Sequence, residues 1–182
     1  MTPDERLADL KAIEAVGEPL DLLLFWGHRP TRSGAVGAGC LSQWWPAPFT
    51  IDGVSYLTAE HWMMAEKARL FADDDGLAAV LAATSPGAAK AAGRKVKGFD
   101  EARWLQVGYG VVVTGNLAKF TQNADLREFL VATGRKVLVE ASPYDRIWGI
   151  GMAANDPDAQ RPSGWRGRNL LGFALMEVRE QL

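Results

Sequence analysis

Among its 182 residues the chain has a single cysteine, Cys40, and two histidines, His28 and His61. One cysteine excludes an internal disulfide, and three scattered nitrogen and sulfur donors are too few for a zinc site. Cys40 has no base near it in sequence, so it reads as a small buried residue in preference to a nucleophile. An excess of one charge is lacking too: 20 Lys and Arg stand against 22 Asp and Glu, a net −2. No overall positive field recruits nucleic acid, and any grip on a polyanion has to be local. No apolar run reaches membrane-spanning length, and Asp4, Glu5 and Arg6 stand where a secretory leader would carry its apolar stretch. The expectation is a cytoplasmic protein with no membrane partner. Internal repeats and a linker are also missing, which together with the length favours one domain.

What is present is the profile of a globular core, with 48% hydrophobic and 23% charged residues. Residues 3–15 have apolar positions at Leu7, Leu10 and Ile13 and read as a peripheral amphipathic helix, ended near Gly17. Residues 1–20 are therefore taken as a helical extension and 21–182 as the domain proper. Residues 22–26 form an apolar run too short for a helix, hence a buried strand, and 27–39 a glycine-rich loop. Asp52 and Gly53, flanked by strand formers, predict a hairpin with a two-residue turn that feeds a helix capped by Thr58. Asp73 to Asp75 suit the start of a helix running to residue 82 or 83, magnesium binding being the other reading. Ser85 and Pro86 start a helix that stops at Gly93, and Asp100 caps a long one over 101–121. Gly108, Gly110 and Gly115 in that helix lack the flanking residues of a nucleotide loop and are read as allowing close packing. A strand over 111–114 is the competing view. A helix over 124–132, a strand over 136–140, an aromatic loop over 142–151, a surface loop to Arg168 and a last helix from Asn169 complete an α+β chain, predominantly helical.

The Thr58 helix carries the chemistry. At about 100° per residue, Glu60, Met64, Lys67 and Phe71 fall on one stripe. Two readings fit: a solvated amphipathic face, or an acid and an amine at the rim of a pocket where desolvation shifts their pKa values. Arg94, Lys95 and Lys97 form the densest basic cluster and either complement a helix end or bind phosphate. Seven tryptophans are many for this length, and those in Gly- and Pro-rich stretches can pack a core or wall a cleft for a planar ring.

Several stretches together resemble one family. They are Phe25-Trp26-Gly27-His28, Leu41-Ser42-Gln43-Trp44, Thr58-Ala59-Glu60-His61-Trp62 with Lys67, Gly93-Arg94, Trp104, Asp145 through Trp148-Gly149, and Gly167-Arg168-Asn169-Leu170-Leu171-Gly172. Their order and spacing resemble the NADAR-domain family of YbiA-like N-glycosidases over roughly residues 22–182. The resemblance implies a single compact domain with a few short strands around a central helix bundle. It further implies hydrolysis of a ribose C1′–N bond, either in phosphorylated ribosylaminopyrimidine intermediates of riboflavin biosynthesis or in ADP-ribosylated guanine. Nucleic acid would enter only as an ADP-ribosylated substrate, and no cofactor or metal is implied. By that resemblance Glu60, Lys67, Trp104 and Asp145 are the catalytic residues. Phe25, Trp26, His28, Ser42, His61, Arg94, Trp148, Gly149 and Asn169 are expected around the substrate. Trp62 replaces a frequent tyrosine, and the long loop 27–39 is expected to alter substrate choice.

Chemically, a C1′–N cleavage builds oxocarbenium-like charge on ribose, which Glu60 and Asp145 could stabilise. Which carboxylate is acid and which is base stays open at this point. Lys67 could lower the pKa of Glu60 by pairing with it, or attack an opened sugar to form an imine. Trp104 and Trp148 would stack the base, and Arg94 with Lys95 or Lys97 would hold a phosphate. A non-catalytic ADP-ribose or nucleotide-binding module is the alternative reading of the same residues.

Overall fold

Helix starts are set by short polar side chains. In the computed structural model, which describes residues 1–182, the hydroxyl of Thr58 accepts the amide of His61 and opens α2 (Ala59–Leu70). Asp73, Ser85 and Asp100 do the same for α3 (Asp74–Leu81), α4 (Pro86–Gly93) and α5 (Glu101–Gln122). Each cap satisfies an amide that the first helical turn leaves without a partner. The remaining helices are α1 (Pro3–Ala15), α6 (Ala124–Ala132) and α7 (Leu170–Arg179). Residues 111–114 are helical within α5, so the strand reading fails there. Tertiary packing overrides the β propensity of the valine run, because Val112 points into the core with no exposed surface.

Four short strands make two separate pairs. β1 (Leu22–Phe25) and β4 (Val137–Glu140) run parallel, in a register that sets Phe25 opposite Glu140. β2 (Phe49–Ile51) and β3 (Val54–Tyr56) form the expected hairpin, with Asp52 at φ 50° and Gly53 at φ 77°, the left-handed pair that a two-residue turn requires. The β1–β4 ribbon is a wall between two cores. Leu138 faces the main core, built where α2 packs on α3, α4 and α5, while Val137 and Val139 face a second cluster under α1. Period-2 alternation on a strand covered on both faces explains its unbroken apolar run. Glu140 is the only charged residue in either strand.

Two expectations need correction. Residues 152–168 are loop but not all surface: Met152, Ala159 and Pro162 are buried, the first two in the second cluster with Leu10 of α1. α1 is tied to that segment by Glu14, which accepts the amide and hydroxyl of Ser163 at 2.8 and 2.7 Å. Of the glycines in α5, Gly115 does permit close packing, since a Cβ there would lie 2.1 Å from Trp62, whereas one at Gly110 would meet nothing. No helix is long and apolar enough to cross a membrane.

Candidate active site

The carboxyl end of β4 opens on a cavity of about 230 Å³ between α2, α4 and the loop after that strand. Ligands commonly gather at the carboxyl ends of parallel strands, where side chains from several loops converge. Glu60 enters from the first turn of α2, whose start is tied to the loop before it by the Glu60 amide bonding the Gln43 carbonyl at 3.0 Å. Lys67 follows two turns along the same face. Lys90 comes from α4, Arg94 from the C-cap of that helix, Glu140 from the end of β4, and Asp145 and Trp148 from the loop beyond it. The Glu60–Lys67 stripe therefore lines a cavity, and the solvated-face reading is set aside.

The ionisable groups are differently provided for. Glu60 is only 5% exposed, and one carboxyl oxygen accepts the Trp44 indole N–H at 3.2 Å. Burial raises its pKa, against the opposing pull of Lys90 and of that indole, while Asp145 adds to the rise. Lys67 makes no ion pair with Glu60. Its Nζ lies 3.9 Å from the centre of the Phe99 ring, and burial, then the nearby Arg94 charge, lowers its pKa. The expected lowering of the Glu60 pKa by pairing is thus not realised, and the charges that oppose its burial come from Lys90 and Arg94. Asp145 accepts two amides on one oxygen, from Ile147 at 2.8 Å and Trp148 at 2.7 Å, which fixes the turn. Glu140 has no side-chain hydrogen bond, and its Oε2 is shut off from solvent without a partner. Burial, reinforced by the Asp145 charge, pushes its carboxyl up to about 8.

Two further cavities adjoin the central one and differ in character. One, of about 300 Å³, shares Lys67 and Trp148 with it and is walled by Phe99, Trp104, Leu105 and Ile147. The other, of about 710 Å³, shares Ser42, Trp44, Lys90, Arg94, Glu140 and Asp145 and continues past Phe25, His28 and Arg29 to Trp26 and Tyr144. Trp26 is 58% exposed on that rim, its ring centre 6.2 Å from that of Tyr144. Gly27 and Gly39, near the ends of loop 27–39, border the same cavity.

Of the residues expected around the substrate, Phe25, Trp26, His28, Ser42, Arg94 and Trp148 come together here with Glu60, Lys67, Trp104 and Asp145. Three others do not reach the cavities. The His61 ring is held between the Thr58 hydroxyl at 2.8 Å and the Ala83 carbonyl at 3.1 Å. Asn169 adopts φ 54° and clamps β4, accepting the Glu140 amide at 2.9 Å and donating to the Leu138 carbonyl at 2.9 Å. Gly149 packs where a Cβ would lie 2.8 Å from the Glu140 carbonyl. In the basic cluster only Arg94 faces the cavity, since Lys97 pairs with Asp75 and Lys95 is exposed outside it. Lys90, Glu140 and the donor role of Trp44 escaped the sequence reading. Their signals were a lone cation on an otherwise apolar helix 86–93 and a lone acid ending the strand at 140. No group of three His, Cys, Asp or Glu side chains is placed to hold a metal ion.

Comparison with known proteins gives the family. The NADAR domain model matches residues 24–182. The chain belongs to the NADAR family. Within that family it is 39% identical over 150 residues to N-glycosidase R617 of Acanthamoeba polyphaga mimivirus, covering 80% of this chain and 88% of that one. It is 34% identical to N-glycosidase YbiA of Escherichia coli, over 74% of this chain and 76% of the relative. The NMR structure of E. coli YbiA superposes with a TM-score of 0.70 at 30% identity, covering 89% of this chain and 85% of that one. The NADAR fold is thus shared in its helical, few-stranded form, and the enzyme class is that of an N-glycosidase.

Proposed function

We propose that this N-glycosidase hydrolyses the ribose C1′–N bond of a phosphorylated ribosyl substrate, a ribosylaminopyrimidine phosphate of riboflavin biosynthesis or an ADP-ribosylated guanine. The observation that carries the reading is one cavity lined by three carboxyl groups, Glu60, Glu140 and Asp145, beside three cationic side chains, Lys67, Lys90 and Arg94, with an aromatic recess on one side. Departure of the nitrogen leaves positive charge on the ribose ring, and a buried carboxylate near C1′ stabilises it strongly because water screens it little. Glu60, deep in the cavity, serves that end. Asp145, partly exposed on its loop, takes the proton of the attacking water. Lys90 and Arg94 hold phosphate from the polar side, and Trp104 and Trp148 receive the planar base on the apolar side.

Incubation of the purified protein with ribosylaminopyrimidine 5′-phosphate and with an ADP-ribosylated guanine oligonucleotide tests this, with release of ribose 5-phosphate or ADP-ribose as the readout. Turnover of at least one is expected, with Glu60→Gln slowed on the order of a hundredfold to a thousandfold. Neither cleaved, or Glu60→Gln as fast as the unmutated protein, overturns the reading.

Lys67 supports a covalent variant of the same reaction. It lacks a carboxylate partner, lies over Phe99, and is drawn toward the neutral, nucleophilic amine. Its attack on C1′ of the ring-opened substrate imine would break the C1′–N bond, the base leaving as its amine with the proton lost by Lys67. The resulting Lys67 imine would be hydrolysed by water to the free sugar and lysine. Borohydride added during turnover would then fix the sugar to Lys67, and an unmodified lysine by mass spectrometry would leave the direct attack of water.

A further inference from the structure

We propose that Glu140 is the general acid of the reaction, delivering its carboxyl proton to the nitrogen that leaves C1′; the assignment rests on the N-glycosidase reading above. Its place in the fold supports this first. Glu140 is the last residue of β4, opposite Phe25 of β1, and it lines both the central and the polar cavity. Its backbone is fixed from two sides. The amide donates to Asn169, and the carbonyl accepts the Ile150 amide at 2.9 Å. Gly172 lets α7 approach so closely that a Cβ there would lie 2.0 Å from the Leu138 carbonyl. A side chain carried on a backbone held this tightly is aimed, which is what a proton donor to one particular atom requires.

The three carboxyl groups are then told apart by their donors. Glu60 receives an indole N–H and has Lys90 and Arg94 near it, and Asp145 receives two amides. The indole and the two cations oppose the rise that burial causes at Glu60, and the two amides occupy an acceptor oxygen of Asp145. Glu140 receives nothing, and one of its oxygens is closed off from water. A half-buried carboxyl with one oxygen closed off and no donor favours keeping its proton, and its partial burial with the Asp145 and Glu60 charges pushes the same way, Lys90 alone opposing. The other charged groups lining the central cavity are Lys67 and Arg94. β1 and α7, which pack on β4, bring only Phe25 and Leu171 to these two cavities. Carboxyl groups whose environments push their protonation apart are the means by which one site supplies both acid and base.

In the step itself the C1′–N bond breaks, its electron pair passes to nitrogen, and nitrogen takes the Glu140 proton. The oxygen of water bonds to C1′ as Asp145 takes a proton from it. Exchange with solvent returns a proton to Glu140 and removes one from Asp145, so one water is consumed and no other reactant is needed.

The test separates leaving groups. Wild type, Glu140→Gln and Glu140→Asp are compared on ribosylaminopyrimidine 5′-phosphate, whose nitrogen must be protonated to leave, and on p-nitrophenyl β-D-ribofuranoside 5′-phosphate, whose phenolate leaves without a proton. We expect Glu140→Gln to lose on the order of a hundredfold or more in kcat on the first substrate and far less on the second. Glu140→Asp, which keeps an acid, should recover part of the loss, and the fall in wild-type kcat/KM at alkaline pH should vanish in Glu140→Gln. Thermal melting and ribose 5-phosphate binding establish that both variants are folded. Equal losses on the two substrates, or no loss on either, overturn the assignment. Where the wild type cleaves only the ADP-ribosylated guanine oligonucleotide, that oligonucleotide takes the place of the first substrate, and a wild type that cleaves none of the three overturns the N-glycosidase reading and the acid with it.

Discussion

Two ionisable side chains lose water to different degrees and with opposite provision, Lys119 wholly, in the middle of the protein, and Glu140 in part, at the end of β4. Lys119 is fully buried, yet its ammonium donates to the Cys40 carbonyl at 2.6 Å and the Ser42 carbonyl at 2.9 Å, and lies 4.9 Å from the Phe120 ring centre. Those bonds hold the turn that presents Ser42, Gln43 and Trp44 to the cavity. Glu140 has no such bonds and borders the cavity itself. Burial of an ionisable group is costly in both places. In the first the group is built into the chain's own hydrogen bonding; in the second its hydrogen-bonding capacity is left for something the chain does not supply.

The largest expected break in this comparison is Lys119→Met. The replacement fills similar space but leaves the buried Cys40 carbonyl without a donor, at about 1–3 kcal/mol, and the half-buried Ser42 carbonyl with only the Trp45 amide at 3.3 Å. Urea unfolding should show a loss of roughly 1–4 kcal/mol, with turnover reduced only as far as the Trp44 turn loosens. A change within about 0.5 kcal/mol would mean that Lys119 does not hold the turn.

The two groups also predict opposite slopes of stability with pH. Burial draws Lys119 from 10.5 down to about 7 in the folded protein, so between those values the unfolded chain binds the extra proton and stability rises with pH. Glu140 goes from 4.5 up to about 8, so between those values the folded protein binds the extra proton and stability falls as pH rises. Each contribution is on the order of a few kcal/mol. Relative to wild type, Glu140→Gln should therefore gain stability from pH 4.5 to 8 while losing catalysis, and Lys119→Met should lack the wild-type rise above pH 7. Chemical denaturation from pH 4.5 to 10.5 measures both, and parallel curves for wild type and Glu140→Gln below pH 8 would show that Glu140 ionises in the folded protein as easily as in water.

The same contrast explains what could be read from the residues alone. Thr58, Asp73, Ser85 and Asp100 act on amides within three positions, so their helix starts were legible, as was the Asp52–Gly53 turn. The Glu60–Lys67 stripe was legible as a stripe, because helical period fixes which residues share a face. That the two do not pair depends on Phe99 and Lys90, which lie far along the chain. Glu140 looked like the polar end of a short strand, and its isolation depends on Asn169 and on the loop at Asp145 closing over it. His61 and Asn169 stand inside motifs that pointed to substrate, yet their polar atoms are spent on the Ala83 carbonyl and on β4. Whether a motif residue faces the cavity or holds up a neighbour is decided by contacts between distant segments, which spacing does not encode.

The smallest expected effect tests the link between the two regions. Trp44 stands at the end of the turn that Lys119 holds, and its indole N–H reaches Glu60 at 3.2 Å. Trp44→Phe keeps an aromatic ring beside His28 and Lys90 but removes that one donor. A hydrogen bond to a charged group is worth about 1.5–3 kcal/mol, and the long distance and the nearby cations place this one at or below the lower figure. Because the indole lowers the Glu60 pKa, its loss should move the acidic limb of the kcat/KM profile to higher pH, with a rate loss of roughly tenfold at neutral pH. Lys119→Met should shift the same limb in the same direction if the turn carries Trp44 with it. A limb that moves in Trp44→Phe and stays in place in a folded Lys119→Met would separate the two regions, leaving Lys119 a part of the core alone.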